Sequence, residues 1–271
     1  MKRIIVVANH KGGVGKTTTA CSMAGILNRF GHKTLLIDAD PSGNATDTYM
    51  GKVEGVPTLY DVILNTDEPT KLEDAIQETP NGFLVASDPL LVKADSICSG
   101  DPNGLYRFQE AVQEAIERGA LDDYEYIICD TQPVLNTLTN NILIGGTEVL
   151  IPITSDRYAV TGLMKLFEII KAIQKRPNRD LKIYGLLLVK YNKRQKLSRS
   201  VYEYIEKTAK DMGTQLIDIT IPESVAARES QAMKKPLIEY ASSCTTELAY
   251  EDFIEKILKE DKGGKKNGKK H

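Results

Sequence analysis

Short apolar runs alternate with segments whose apolar residues recur every three or four positions along almost the whole chain. The first run, Arg3 to Ala8, reads as a buried strand. After a glycine-rich stretch, Ala20, Met23, Ala24, Ile26, Leu27 and Phe30 fall at helical spacing, and Gly31 is placed to cap that helix. Further strands are predicted over Thr34 to Ile37, Gly82 to Ala86, Tyr126 to Cys129, Val149 to Ile153, Leu181 to Val189 and Gln215 to Ile219. Helices are predicted over Thr58 to Leu64, Leu72 to Gln77, Leu105 to Arg118, Leu197 to Met212 and Thr246 to Lys259. The stripe Leu163, Phe167, Ile170 and Ile173 marks another. Strands and helices in this order specify an α/β fold, a mostly parallel twisted sheet with helices on both faces. No internal repeat or long linker interrupts it, so residues 1–260 are expected to form a single domain.

Composition changes that picture little. A chain of 271 residues and 30.0 kDa, 41% hydrophobic and 27% charged, is long enough for one well-buried domain. No apolar run approaches the roughly 20 residues a membrane helix needs. Lys2 and Arg3 precede an apolar run too short for a signal-peptide core, so a cytoplasmic protein is expected. Cys21, Cys98, Cys129 and Cys244 lack CxxC or metal-ligand spacing and read as structural thiols. Formal charge is −2, but Lys262 to His271 holds five lysines and no acid, which leaves the body at −7. That tail, residues 261–271, reads as disordered. It serves as a solubilising terminus or, as the alternative, as a nucleic-acid contact.

The chemistry concentrates in His10-Lys11-Gly12-Gly13-Val14-Gly15-Lys16-Thr17-Thr18. A glycine loop between a buried strand and a helix turns successive backbone N–H groups toward one point, and the helix N-terminus adds partial positive charge there. Such a point suits a polyphosphate. Lys16 is placed to reach its β- and γ-phosphates, and the Thr17 hydroxyl to ligate Mg²⁺. The usual G-x-x-x-x-G-K-[ST] spacing fails, because His10 stands where the first glycine belongs. A second lysine, Lys11, follows it. Metal and water must also be held by acids at strand ends facing the loop. Strand two runs into Asp38-Ala39-Asp40-Pro41-Ser42-Gly43-Asn44, and Tyr126-Ile127-Ile128-Cys129 ends in Asp130, an arrangement suited to a Mg²⁺ contact.

The K-G-G-x-G-K-T-T sequence resembles the deviant Walker A motif of the ParA/MinD family of P-loop NTPases, and most of the chain shares the likeness. The resemblance implies an ATPase with ATP and Mg²⁺ as cofactors. It implies a homodimer when ATP is bound, in which Lys11 reaches the partner's nucleotide. Lys11, Lys16 and Asp40 are then catalytic, with Asp40 positioning the attacking water. Nucleotide is held by Lys11, Gly12, Gly13, Val14, Gly15, Lys16, Thr17 and Thr18, with adenine near Lys190 and Pro222. Thr17, Asp38 and Asp130 form the metal set. The sequence departs from the family's D-x-D-P-Q-G-N at Ser42 and from its D-x-P-P at Gln132. Ile221-Pro222 with Glu229 resembles a segment that closes over the base.

Within the family, the ParA branch binds DNA without sequence preference, which calls for cations facing phosphates. Lys190 to Arg199 gathers five cations in an otherwise acidic body. Lys193, Arg194, Lys196, Arg199 and Arg228 are the expected DNA contacts, with a ParB-like partner stimulating hydrolysis and the nucleoid as the site of action. The alternative is a MinD-like or other positional switch that does not bind DNA. MinD attaches to membranes through an amphipathic C-terminal helix. Here the chain ends without an apolar residue after Asp261, and Phe253, Ile254, Ile257 and Leu258 read as the buried stripe of the final helix.

Overall fold

The computed structural model describes residues 2–50, 54–65, 67–155, 159–192 and 196–267, without the side chains of 159–161, 196–199 and 264–267. In chain order it comprises β1 (Arg3–Val7), α1 (Lys16–Arg29), β2 (Thr34–Ala39), α2 (Asn44–Met50), α3 (Leu59–Ile63), β3 (Ile76–Thr79), β4 (Gly82–Val85) and α4 (Ala94–Cys98). Then come α5 (Arg107–Glu117), β5 (Tyr126–Thr131), α6 (Thr137–Gly145), β6 (Glu148–Thr154), α7 (Ala159–Lys175) and β7 (Lys182–Tyr191). The chain closes with α8 (Lys196–Asp211), β8 (Leu216–Pro222), α9 (Val225–Ala232), α10 (Leu237–Tyr240) and α11 (Thr245–Asn267).

Eight strands form one sheet in the order β3-β4-β2-β5-β1-β6-β7-β8, parallel throughout except where β3 meets β4. Alternate residues of each strand supply two cores. Ile4, Val6 and Ala8 face a layer built from α3, α5, α6, α7 and α8, whereas Ile5 and Val7 face α1, α2 and α11. Burial on both faces explains why the strands read as nearly continuous apolar runs. The chain leaves β1 for β2 on one side and resumes at β6 on the other, so β1 lies at the topological switch point, where open α/β sheets bind ligands.

Several strands run further than their apolar runs. β2 continues to Ala39 and β5 to Thr131, so Asp38 and Asp130 stay in the ladder, fully buried and directly paired. The segment expected to be helical from Leu72 to Gln77 is a short 3₁₀ turn, Leu72–Ala75, followed by the edge strand β3. Thr79 explains the reversal into β4: its hydroxyl donates to the Gly82 carbonyl at 2.8 Å and accepts from Asn81 N–H at 3.1 Å.

Helices α2, α4, α6, α9 and α10 were not legible as apolar stripes. At the other end, the helix expected to stop at Lys259 continues to Asn267. Asp261 fixes the extension: its carboxylate meets Arg3 Nη1 at 2.9 Å and accepts from the Tyr126 hydroxyl at 2.5 Å.

Helix α11 also buries an acid. Glu247 is 0% exposed between α1 and α2, and neither oxygen has a hydrogen-bond partner. Burial pushes its carboxyl from the ordinary 4.5 up to about 7. Arg29 and Ser22 on α1 pull it down and Glu251 pushes it up, while Tyr49 and Tyr250 face it as neutral phenols. Because the folded state favours the protonated acid, stability is lost as pH rises from about 4.5 to about 7 and stays lost above that. Glu247→Gln removes the loss. Chemical denaturation should find the variant's advantage over the parent widening between pH 5 and pH 8 by up to about 3 kcal/mol. An advantage independent of pH would contradict this account.

Candidate functional site

The loop after β1 is held from both neighbouring strands before it reaches α1. Ala8 N–H donates to the Leu150 carbonyl at 3.1 Å and Asn9 Nδ2 to the Pro152 carbonyl at 2.7 Å, both on β6. Asn9 Oδ1 in turn accepts from Lys11 N–H at 3.0 Å, and His10 Nδ1 lies 3.1 Å from the Pro133 carbonyl beyond β5. Gly13 (φ 72°) and Gly15 (φ 78°) then take left-handed conformations that other residues resist. A Cβ at Gly13 would meet nothing within 4 Å, so backbone conformation rather than crowding demands glycine there.

Gly15 is the N-cap of α1 and offers no capping side chain. The first-turn N–H groups of the helix therefore face outward without the partner a serine or aspartate cap supplies, an arrangement that receives an anion. Lys16, 6% exposed, folds back so that Nζ donates to the Lys11 carbonyl at 3.1 Å. Burial lowers its pKa, and the charges of Asp130 and Asp40 offset part of that drop.

The strand register brings the acids to this point. Asp130 is level with Val7 on one side and Asp38 on the other. Asp38 is held by three donors: Oδ1 accepts from Asp40 N–H at 3.1 Å, and Oδ2 accepts from Thr46 N–H at 2.7 Å and the Thr46 hydroxyl at 2.8 Å. Burial still raises its carboxyl to about 6, against the pull of those donors. These three donors make Asp38 a post for the β2–α2 loop. Asp130 is the opposite case. It is fully buried and neither oxygen has a hydrogen-bond partner. Burial, and then the Asp38 charge, push its pKa well up, while the Thr17 hydroxyl and Lys16 act against the rise. An unpartnered carboxylate beside a threonine hydroxyl at the foot of a phosphate loop fits a divalent cation. Among the described residues no group of three or more His, Cys, Asp or Glu side chains could hold a metal. A cation here would share its shell with phosphate oxygens and water, as Mg²⁺ commonly does.

A cavity of about 580 Å³ opens above the loop, large enough for a cofactor-sized ligand. Gly12, Gly13, Gly15, Lys16, Thr17 and Thr18 form its floor, with Asp40 and Lys190 at its sides. Asp40 is steered by its own turn, accepting from Ser42 N–H at 2.9 Å while its carbonyl takes the Ser87 hydroxyl at 2.6 Å. Lys190 Nζ donates to the Gly13 carbonyl at 2.7 Å. Val14 is buried beneath the loop, and Lys11 is partly exposed beside it. Pro222 ends β8 outside the lining, its carbonyl taken by the Thr246 hydroxyl at 2.9 Å.

The far wall was not among the expected site residues. Asp47 and Thr48 of α2, Gln231 of α9, and Lys234, Lys235 and Pro236 in the turn to α10 are part of the lining. The signal for this wall was the Ile221-Pro222…Glu229 likeness, which stopped short of the residues that face the ligand space. Of the expected DNA contacts, Lys193 and Arg194 lie outside the described residues. Lys196 and Arg199 fall in the first turns of α8 with their side chains undescribed, and Arg228 is exposed on α9.

The comparisons with known proteins agree with this geometry. The family described as "AAA domain" matches residues 2–183. The chromosome partitioning protein ParA of Caulobacter vibrioides is 31% identical, the match covering 96% of this chain and 95% of that protein. The chromosome partitioning protein ParA of Myxococcus xanthus is 34% identical over 91% of this chain and 86% of its own length. Among solved structures, one described as cobyrinic acid a,c-diamide synthase from Mycobacterium smegmatis with bound ADP and magnesium superposes with a TM-score of 0.82. It shares 26% identity, and 97% of each chain is covered.

The two buried carboxylates make opposite predictions. Asp130→Asn removes an uncompensated charge and should raise the melting temperature of the ligand-free protein. Asp38→Asn strands the Thr46 donors and should lower stability by about 1–3 kcal/mol. Melting curves of the two variants at pH 7.5 separate the roles, and a loss of stability in both would remove the distinction between post and vacant ligand.

Proposed function

We propose, from the premise that the chain belongs to the AAA domain family and to the ParA/MinD ATPases within it, that it is a partitioning ATPase. It binds and hydrolyses ATP with Mg²⁺, pairs when ATP is bound, and holds DNA without sequence preference to segregate or position a replicon. The observation that carries the ATP site is the unpartnered Asp130 carboxylate beside Thr17, below a left-handed glycine loop that ends in Lys16. Solved relatives described with ADP or an ATP analogue and magnesium support the same ligands.

In this reading the N–H groups from Gly12 to Thr18 and the Lys16 ammonium take the phosphates. Thr17 and Asp130 hold the cation, which supplies neutralisation of charge on the β- and γ-oxygens. Asp40, already oriented by Ser42 N–H, lies at the cavity side where it can set the attacking water. Lys11 is the residue that crosses to the partner's nucleotide. Lys190 and the far wall around Gln231 and Pro236 flank the remaining nucleotide. Catalysis is chiefly positioning and charge stabilisation, so slow basal turnover raised by a ParB-like partner follows.

DNA binding rests on the cation-rich junction from Lys193 to Arg199 together with Arg228, and places the protein on the nucleoid in the cytoplasm. Lys190 spends its ammonium on the loop and leaves that group. The reading is favoured over membrane attachment because α11 buries Tyr250, Phe253, Ile254 and Ile257 in the core, and no helix among the described residues is long and apolar enough to cross a membrane.

Two measurements test this function. Lys11→Ala should abolish ATP-dependent dimerisation in sedimentation and ATP hydrolysis, while leaving nucleotide binding within about threefold of the parent; dimerisation and turnover that persist would defeat the role given to Lys11. Lys193→Ala/Arg194→Ala/Lys196→Ala should weaken ATP-dependent shifts of random duplex DNA at least tenfold and reduce the salt dependence by about three charges. If the shift is absent in the parent, or survives in the variant and after removal of residues 262–271, the chain is a positional switch of another kind.

A further inference from the structure

Among the described residues, Lys190 (φ 54°) and Lys234 (φ 51°) are the non-glycine residues with left-handed backbone. Both line the cavity, and each gives its ammonium to another residue of the lining. Lys190 reaches the Gly13 carbonyl, and Lys234 Nζ lies 2.6 Å from Asp47 Oδ2. A side chain in this backbone region is held there against a steric cost, and residues so held gather at clamps and switch segments.

Lys234 sits in the turn between α9 and α10. Its N–H donates to the Gln231 carbonyl at 3.1 Å, and Lys235 N–H to the Ser230 carbonyl at 3.0 Å, which wind the turn tightly onto the end of α9. The turn is fastened to two other elements of the cavity lining. Gln231 Nε2 donates to the Thr18 hydroxyl at 2.5 Å on α1, and Lys234 meets Asp47 on α2. Lys235 is occupied with Glu239 at 3.4 Å. The footing on α2 is firm, because the residue before Asp47 is Thr46, which gives both its donors to Asp38. Asp40, two residues beyond Asp38, lines the same cavity.

We propose that the α9–α10 turn is a clasp over the cavity, closed by the Lys234–Asp47 ion pair, and that opening of this pair sets how fast nucleotide enters and leaves. The inference rests on the reading of the cavity as a nucleotide site. The side chains are 63% and 37% exposed, and a pair so exposed biases opening by no more than about fivefold. That strength suits a gate that must open in every cycle.

Cys21 lines the cavity beneath the turn and is buried, so its alkylation reports opening without any nucleotide. With the full chain at constant pH and low salt, iodoacetamide labelling of Cys21, followed by peptide mass mapping, should run about three- to fivefold faster in Lys234→Gly and in Asp47→Asn than in the parent. Glycine keeps the turn conformation, so the first variant removes the charge without forcing the backbone. The exchanged pair Lys234→Asp/Asp47→Lys should return the rate toward that of the parent. Added salt should accelerate the parent and leave the single variants unchanged. Stopped-flow fluorescence with N-methylanthraniloyl-ADP should show association and dissociation rising together, with the dissociation constant changed less than twofold. Labelling unchanged in both single variants overturns the clasp, as does acceleration confined to Lys234→Gly. A weaker dissociation constant at an unchanged association rate also overturns it, since Lys234 then touches the nucleotide directly. If the labelling pattern holds but the parent binds no nucleotide, the clasp stands and the nucleotide reading falls.

Discussion

Two carboxylates, Asp38 and Asp130, face each other across adjacent parallel strands in the core, and the site is organised around how differently each is treated. Burial alone would neutralise both, and mutual repulsion strengthens that tendency. Asp38 is given three donors, two of them from one threonine, and so fixes the start of α2. Asp130 is given none. A fold that leaves a fully buried carboxylate unpartnered costs itself stability unless something else arrives to complete the shell, and Thr17 and Lys16 stand where that group would be met.

The phosphate loop depends on the same register. Val7 is level with Asp130, so the chain leaves β1 at the height of the vacant acid and must turn at once. Left-handed conformations at Gly13 and Gly15 make that turn without side chains above the helix N-terminus, and bonds from β6 hold the loop on its other flank. Lys16 then lies buried between the loop carbonyls and the acids. Its ammonium is depressed by burial and supported by Asp130 and Asp40, which ties the loop's charge to the strand ends.

The α/β class, the sheet's two-faced burial, the phosphate loop and the strand-end acids were all legible because each leaves a local mark: an apolar run, a helical stripe, glycines beside lysines, an acid after a strand. Strand ends were read too short wherever a polar residue stayed in the ladder, as at Asp38 and Asp130, since ladder pairing depends on the neighbour and not on hydropathy. The helical pattern of Leu72 to Gln77 runs into the first two residues of β3 because the pairing of β3 with β4 is set by the Thr79 turn, which an apolar pattern does not record. The helix that continues past Lys259 was missed for the same reason: Asp261 is held by Arg3 and Tyr126, residues more than a hundred positions away.

Lys190 shows why charge clusters in a sequence are poor maps of a surface. It heads a run of cations that reads as a patch for a polyanion, yet its backbone turns left-handed at the end of β7 and its ammonium crosses to the Gly13 carbonyl. The apolar run of β7 ends just before it, so its conformation belongs to a strand exit and its charge belongs to the loop. Lys234 repeats the pattern on the other side of the cavity with Asp47 as its partner. Lys190 stands at the last-but-one position of β7 and Lys234 just beyond α9, where the chain reaches the ligand space and a long flexible side chain can span the gap. Cations at such exits are therefore assigned by backbone conformation before net charge.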